Sequence, residues 1–170
     1  MQVRVLLILL LSMGIGSACT AQHGNNFTLY LVRHAEKQAI EDNDPGLTDA
    51  GSYRSEQLAK WLQDKDIRKI WSSDYQRSRD TAGPLVSTLG LELTLYDPRD
   101  LPALADELLG NRHNALIVGH SNTTPDLTRL LCQCDISDMD ESEYDQLFVV
   151  SVPGGETKVE ILKQSVLFAR

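Results

Sequence analysis

FTLYLVRHAEK, residues Phe27 to Lys37, is an apolar, β-rich run that ends abruptly in Arg33 and His34, then passes through the small Ala35 into charge. Phe27 to Val32 predicts a buried strand. A guanidinium and an imidazole side by side at the end of such a strand have a poor structural excuse, and an oxyanion ligand supplies a chemical one. Two later segments repeat the layout of strand, sharp turn and cationic or imidazole side chain. They are IWSSDYQRSRDTA (residues 70–82) and ALIVGHSNTTP (residues 115–125).

Outward from these segments, apolar runs alternate with helical patterns. Leu47 to Gln63 reads as an amphipathic helix capped by Thr48, with Leu58, Ala59, Trp61 and Leu62 on its apolar face. Ile67 to Ser72 is a short strand. Tyr75 to Leu89 is a second helix, with Asp74 as its expected N-cap, Pro84 inside it and Gly90 as its stop. Leu91 to Leu95 is a third strand, and Pro102 to Leu109 a helix ended by Gly110. Ala115 to Val118 is a buried strand. Thr124 to Cys132 is a helix with Pro125 in its first turn. Gln146 to Val152 and Glu156 to Leu162 pair around the Pro153-Gly154-Gly155 turn.

This alternation predicts an α/β fold with an open, mostly parallel sheet. Ligands of such sheets bind beyond the carboxyl ends of the strands. Arg33 and His34 follow the first strand, Arg77 the second and His120 the fourth. If these strands are parallel neighbours, the four side chains meet at one edge. Helix N-termini near Asp74 and Thr123 would add free N–H groups to the same space.

The 170 residues suit one domain, and a net charge of −8 argues against nucleic acid as a partner. Residues 1–18 have the layout of a secretory signal: one positive charge, an aliphatic run and small residues before Cys19. Gly16-Ser17-Ala18-Cys19 resembles a bacterial lipobox, so Cys19 is the expected site of acylation and membrane attachment. A cleaved signal without acylation and an uncleaved anchor are the alternatives. Residues 19–26 would form a tether and residues 27–165 the domain. The protein is thus expected to be exported, in or facing the periplasm. Cys132 and Cys134 are expected to be two buried thiols, because a C-x-C bond closes a tight ring.

The four residues fit phosphoryl transfer. Arg33 and Arg77 offer planar forks to equatorial oxygens. A neutral His34 can attack phosphorus, and neighbouring arginines favour that neutral form. His120 can donate to a nonbridging oxygen. Two arginines aimed at the site would repel a metal ion.

With Ala35 in the usual glycine position, LVRHAEK resembles the Arg-His-Gly signature of the histidine phosphatase superfamily. LTDAG (residues 47–51), SSDYQRSRDTA and VGHSNTTP resemble its further motifs in the same order. The resemblance spans residues 27 to 152, and the compact layout is similar to the small bacterial phosphohistidine phosphatases. It implies a three-layer α/β/α, phosphoglycerate mutase-like fold and no cofactor. It implies His34 as the phosphorylated nucleophile, and Arg33, Arg77 and His120 as the phosphate pocket, with Ser121 and Asn122 flanking it. Many members carry an acid that protonates the leaving oxygen. Here Asp100 and Asp97 are the candidates, with a helix cap and a turn as their alternative uses. The activity implied is hydrolysis of small phosphomonoesters. A phosphate-transferring mutase and a non-enzymatic phospholigand-binding envelope protein are the alternatives.

Overall fold

Strand β1 (Phe27–Arg33) feeds two cores at once, because its apolar side chains alternate between the faces of a covered sheet. Phe27, Leu29 and Leu31 enter one core, and Tyr30 and Val32 the other. The computed structural model describes residues 26–169. The expected signal, Cys19 and most of the tether lie outside the described residues.

Helices α1 (Asp49–Leu62) and α2 (Gln76–Leu89) cover the Tyr30 face. Helices α3 (Leu101–Asn111) and α4 (Thr123–Cys132) cover the Phe27 face. Between the layers lie β2 (Lys69–Ser73), β3 (Leu93–Tyr96), β4 (Ala115–Gly119), β5 (Gln146–Val152) and β6 (Lys158–Lys163), and a short α5 (Gln164–Leu167) follows. The sheet order is β3-β2-β4-β1-β5-β6. The first four strands are mutually parallel, and the β5–β6 hairpin adds an antiparallel edge. The expected α/β architecture with a mostly parallel open sheet is therefore present.

The chain passes from β1 to β2 by way of α1 and leaves a slot that β4 fills later. The carboxyl ends of β2, β4 and β1 thus lie side by side, with Arg33 paired to Gly119 in register. This places the three motifs on one rim.

Local signals hold at most helix ends. Thr48 Oγ1 accepts from Gly51 N at 3.1 Å, and Gly90 ends α2 at φ 64°. Helix α2 is continuous through Pro84. The Asp74 cap is a correction. Tyr75 occupies the cap position without a side-chain bond, and Asp74 pairs with Arg79. The N–H of Gln76 is taken instead by Asp44 Oδ1, 2.8 Å away and 32 residues earlier. A second correction concerns the cysteines. Cys132 and Cys134 form a disulfide, and Cys134 is exposed. Gln133 between them adopts φ 52°, which turns the chain back and leaves the Cα atoms 5.2 Å apart.

Gly51 explains the LTDAG segment. A Cβ there would lie 2.3 Å from the Glu36 carbonyl oxygen, two residues past His34. Gly51→Ala is expected to destabilise the protein by about 1–3 kcal/mol. At Gly83 an added Cβ meets nothing within 4 Å beyond its chain neighbours, but Pro84 follows and its ring crowds a helical Cβ there, which offsets the helix-propensity gain, so Gly83→Ala should change stability by less than about 1 kcal/mol. Urea unfolding of both variants checks the pair, and a neutral Gly51→Ala would refute the packing argument.

Candidate active site

The rim of β1, β2 and β4 opens into a cleft of about 360 Å³ that includes Arg33, His34, Arg77, His120, Ser121 and Asn122 in its lining. All six residues singled out for nucleophile and phosphate pocket are therefore brought together.

Arg33 and His34 are each 3 % exposed. The His34 backbone N–H continues the β1–β4 ladder by donating to Gly119 O at 2.9 Å. The next residue is pinned as well: Ala35 N donates to Thr81 Oγ1 at 2.9 Å, and Thr81 Oγ1 donates to Arg77 O at 2.7 Å. The Thr-Ala end of the second motif thus clamps the segment that follows β1 to α2. His34 Nδ1 lies 2.8 Å from Ala35 O. A carbonyl only accepts, so Nδ1 carries the proton and Nε2 holds the free lone pair.

His120 sits with its ring centroid 5.5 Å from that of His34. Its Nε2 is 3.0 Å from the hydroxyl of the buried Ser73, which contacts Ser78 Oγ at 2.9 Å. Among the described residues Nδ1 of His120 has no hydrogen-bond partner. Gly119 lets the first turn of α4 close on the end of β4, since a Cβ there would meet Thr123 Oγ1 at 2.8 Å.

The two arginines are held differently. Arg77 lies with its Cζ 4.4 Å from the centroid of the Tyr75 ring, and its Nη1 reaches Asp44 only at 3.5 Å. Arg33 is tied to the segment between α4 and β5. Its Nη1 donates to the carbonyls of Asp140, Glu141 and Glu143 at 3.3, 2.7 and 2.9 Å. Its Cζ lies 4.0 Å from the Tyr144 ring centroid. The Nε–H of each arginine is buried without an acceptor among the described residues. Buried donors on charged groups rarely stay unpaired, and both belong to residues that line the cleft.

Burial, followed by the charges of Arg33, Arg77 and His120, lowers His34 to about 3. Burial, then Arg77 and Arg33, lowers His120 to about 4. Both imidazoles are thus neutral in the empty protein at neutral pH. The unfolded chain binds these protons near the ordinary value of about 6.5, and the folded chain resists them. Between about pH 6.5 and 4 the unfolded state therefore holds more protons, and stability falls as pH falls. The Tm is expected to drop between about pH 7.5 and 4.5. The drop should be shallower in a His34→Ala, His120→Ala double variant, and equal slopes would contradict this assignment.

Neither Asp97 nor Asp100 lines the cleft. Asp97 is exposed and pairs with Arg99, which holds it down to about 2. Asp100 caps α3 by accepting from Ala103 N at 3.2 Å. The carboxylate that does line the cleft is Glu141, and Lys37, Tyr75 and Arg99 join it there. The sequence reading passed over these residues. The polar run DMDESEYD (residues 138–145) has no periodicity and no motif that would single out one acid. No helix among the described residues is long and apolar enough to cross a membrane.

Residues 29–98 match the sequence model of the histidine phosphatase superfamily (branch 1), a stretch that includes Arg33, His34 and Arg77 and ends before His120. Among solved structures, the chain is similar to the protein histidine phosphatase SixA complexed with tungstate. That likeness has a TM-score of 0.66 at 16 % identity, over 82 % of this chain and 99 % of that one. It is also similar to a mycobacterial glucosyl-3-phosphoglycerate phosphatase, with a TM-score of 0.63 at 15 % identity, over 81 % and 98 %. A third is the phosphoserine phosphatase of Entamoeba histolytica in complex with 3-phosphoglyceric acid, with a TM-score of 0.57 at 13 % identity, over 78 % and 94 %. At these identities the likeness shows a shared phosphoglycerate mutase-like fold. No curated protein sequence matches the chain.

Proposed function

We propose, with the histidine phosphatase match as premise, that this protein is a metal-independent phosphatase that hydrolyses small phosphomonoesters through a phosphohistidine on His34. The observation that carries this reading is the pairing of two unmet needs in one cleft. Two buried guanidinium Nε–H groups lack an acceptor, and beside them stands a neutral imidazole with a free Nε2 lone pair. A phosphoryl group satisfies all three.

In this reading, Arg77 and the Nε–H of Arg33 take up the equatorial oxygens, whose charge persists through the transition state. His120 donates from Nδ1 in the tautomer that forms when the Ser73 hydroxyl turns from Ser78 to donate to its Nε2. His34 Nε2 attacks phosphorus in line while Nδ1 keeps its proton and donates the N–H to Ala35 O. Water then hydrolyses the N–P bond. The first turn of α4 contributes little more than the Thr123 N–H, since Thr124 N donates to His120 O, Asp126 N donates to Asn122 O and Pro125 has no N–H, so the expected helix-terminus donors are largely spent.

The test is release of inorganic phosphate from an aryl phosphate in the presence of a chelator. Turnover by residues 20–170 that disappears in His34→Ala supports the reading. Transfer to a second hydroxyl without net release would favour a mutase instead, and phosphate binding without turnover a binding protein. Export and acylation at Cys19 complete the proposal, supported by the pattern of residues 1–19. The mass of the mature N-terminus tests both.

A further inference from the structure

The site described above can bind a phosphoryl group and form the N–P bond, but expulsion of an alkoxide also requires a proton. Asp97 and Asp100 are turned to other uses. Glu141 is the carboxylate at the cleft, and the structure holds it there by its backbone. Its carbonyl and those of Asp140 and Glu143 accept from Arg33 Nη1. Asp140 Oδ1 accepts from Ser142 N at 2.8 Å and closes the turn. On one side the turn is anchored by the buried Met139. On the other, Asp145 bonds Arg54, which grips Glu36 of the nucleophile segment. The Glu141 side chain itself remains 82 % exposed. Its Oε2 lies 3.1 Å from Arg33 Nη2, and its Oε1 accepts from Ser121 Oγ.

The carboxylate therefore touches the residue before His34 and the residue after His120. We propose that Glu141 is the proton donor to the leaving oxygen and, in the second half-reaction, the base that takes a proton from water. This role rests on the phosphatase reading above. A phosphoryl dianion that enters the cleft competes with the Glu141 carboxylate for Arg33.

The steps balance. The His34 Nε2 lone pair forms the N–P bond as the P–O ester bond breaks, and the ester oxygen takes the Glu141 proton and leaves as an alcohol. Water then attacks phosphorus and gives one proton to the Glu141 carboxylate. The N–P bond breaks, and inorganic phosphate and neutral His34 are restored. No metal or redox partner is required.

Glu141→Gln tests the role, because an exposed side chain of the same shape can change without threatening the fold. kcat/KM is measured for a p-nitrophenyl phosphate, whose leaving group departs without a proton, and for an alkyl phosphate, whose leaving group does not. The alkyl substrate should lose about 10²-fold or more. The aryl substrate should lose at least tenfold less. Glu141→Asp should recover part of the alkyl activity. Parallel losses on both substrates, or no loss on either, overturn the assignment while leaving the nucleophile in place. An aryl phosphatase activity that survives His34→Ala unchanged would instead overturn the underlying reading, so the two failures are distinguishable.

Discussion

Replacing His34 by alanine is expected to lower kcat on an aryl phosphate by at least ~10⁴-fold, the scale on which loss of a covalent nucleophile is felt. The reason is specific to this side chain. Its Nε2 is the lone pair at the bottom of the cleft, kept free because Nδ1 donates to Ala35 O. His120 cannot replace it, since Nε2 of that ring is engaged with Ser73. The backbone of residue 34 is held by Gly119 and its neighbour by Thr81, so the variant should keep its strand and its helix contacts. Phosphate binding should then persist while turnover stops. The complementary measurement is a rapid quench at neutral or alkaline pH followed by peptide mapping, which should find phosphate on His34 in the parent. Turnover within tenfold of the parent would remove the covalent mechanism.

Arg77→Ala is expected to lower kcat/KM by 10²–10³-fold, about 3–4 kcal/mol, as for removal of other charge-stabilising donors in a closed site. Arg77 is the more informative of the two arginines. Arg33 also straps down residues 140–144, so its loss would disturb the Glu141 turn along with the phosphate. Among the described residues Arg77 has only the long contact to Asp44 and the face of Tyr75 to hold it, and its Nε has no acceptor. Arg77→Lys should restore little, because a point charge does not reproduce a planar fork. Inhibition by inorganic phosphate should weaken in parallel. A loss below tenfold would show that the guanidinium serves α2 and not the ligand.

Much of this site was legible before any coordinates. The βα junctions of the first, second and fourth strands announced themselves by charged or imidazole side chains after apolar runs. Thr48 and Gly90 marked helix ends through chemistry that acts within a few residues. The failures share a cause as well. Asp74 was the nearest acid to the start of α2, yet Asp44 reaches that N–H across the loop. Asp97 and Asp100 were the candidate acids, yet one is paired with Arg99 and the other spent on a cap.

The order of apolar and helical segments, and the residue types at their junctions, by themselves determined the α/β class and the four side chains, Arg33, His34, Arg77 and His120, that meet at the rim. Periodicity and capping arise between neighbours in the chain, so they are written where they act. Only the tertiary structure decided that Glu141 is the carboxylate at the cleft and that Arg33 ties β1 to a distant turn while its Nε–H stays without an acceptor among the described residues. Those contacts join groups more than a hundred residues apart. The Arg33 contacts depend on where β4 enters the sheet and how the chain returns from α4, and no short stretch of sequence carries that information.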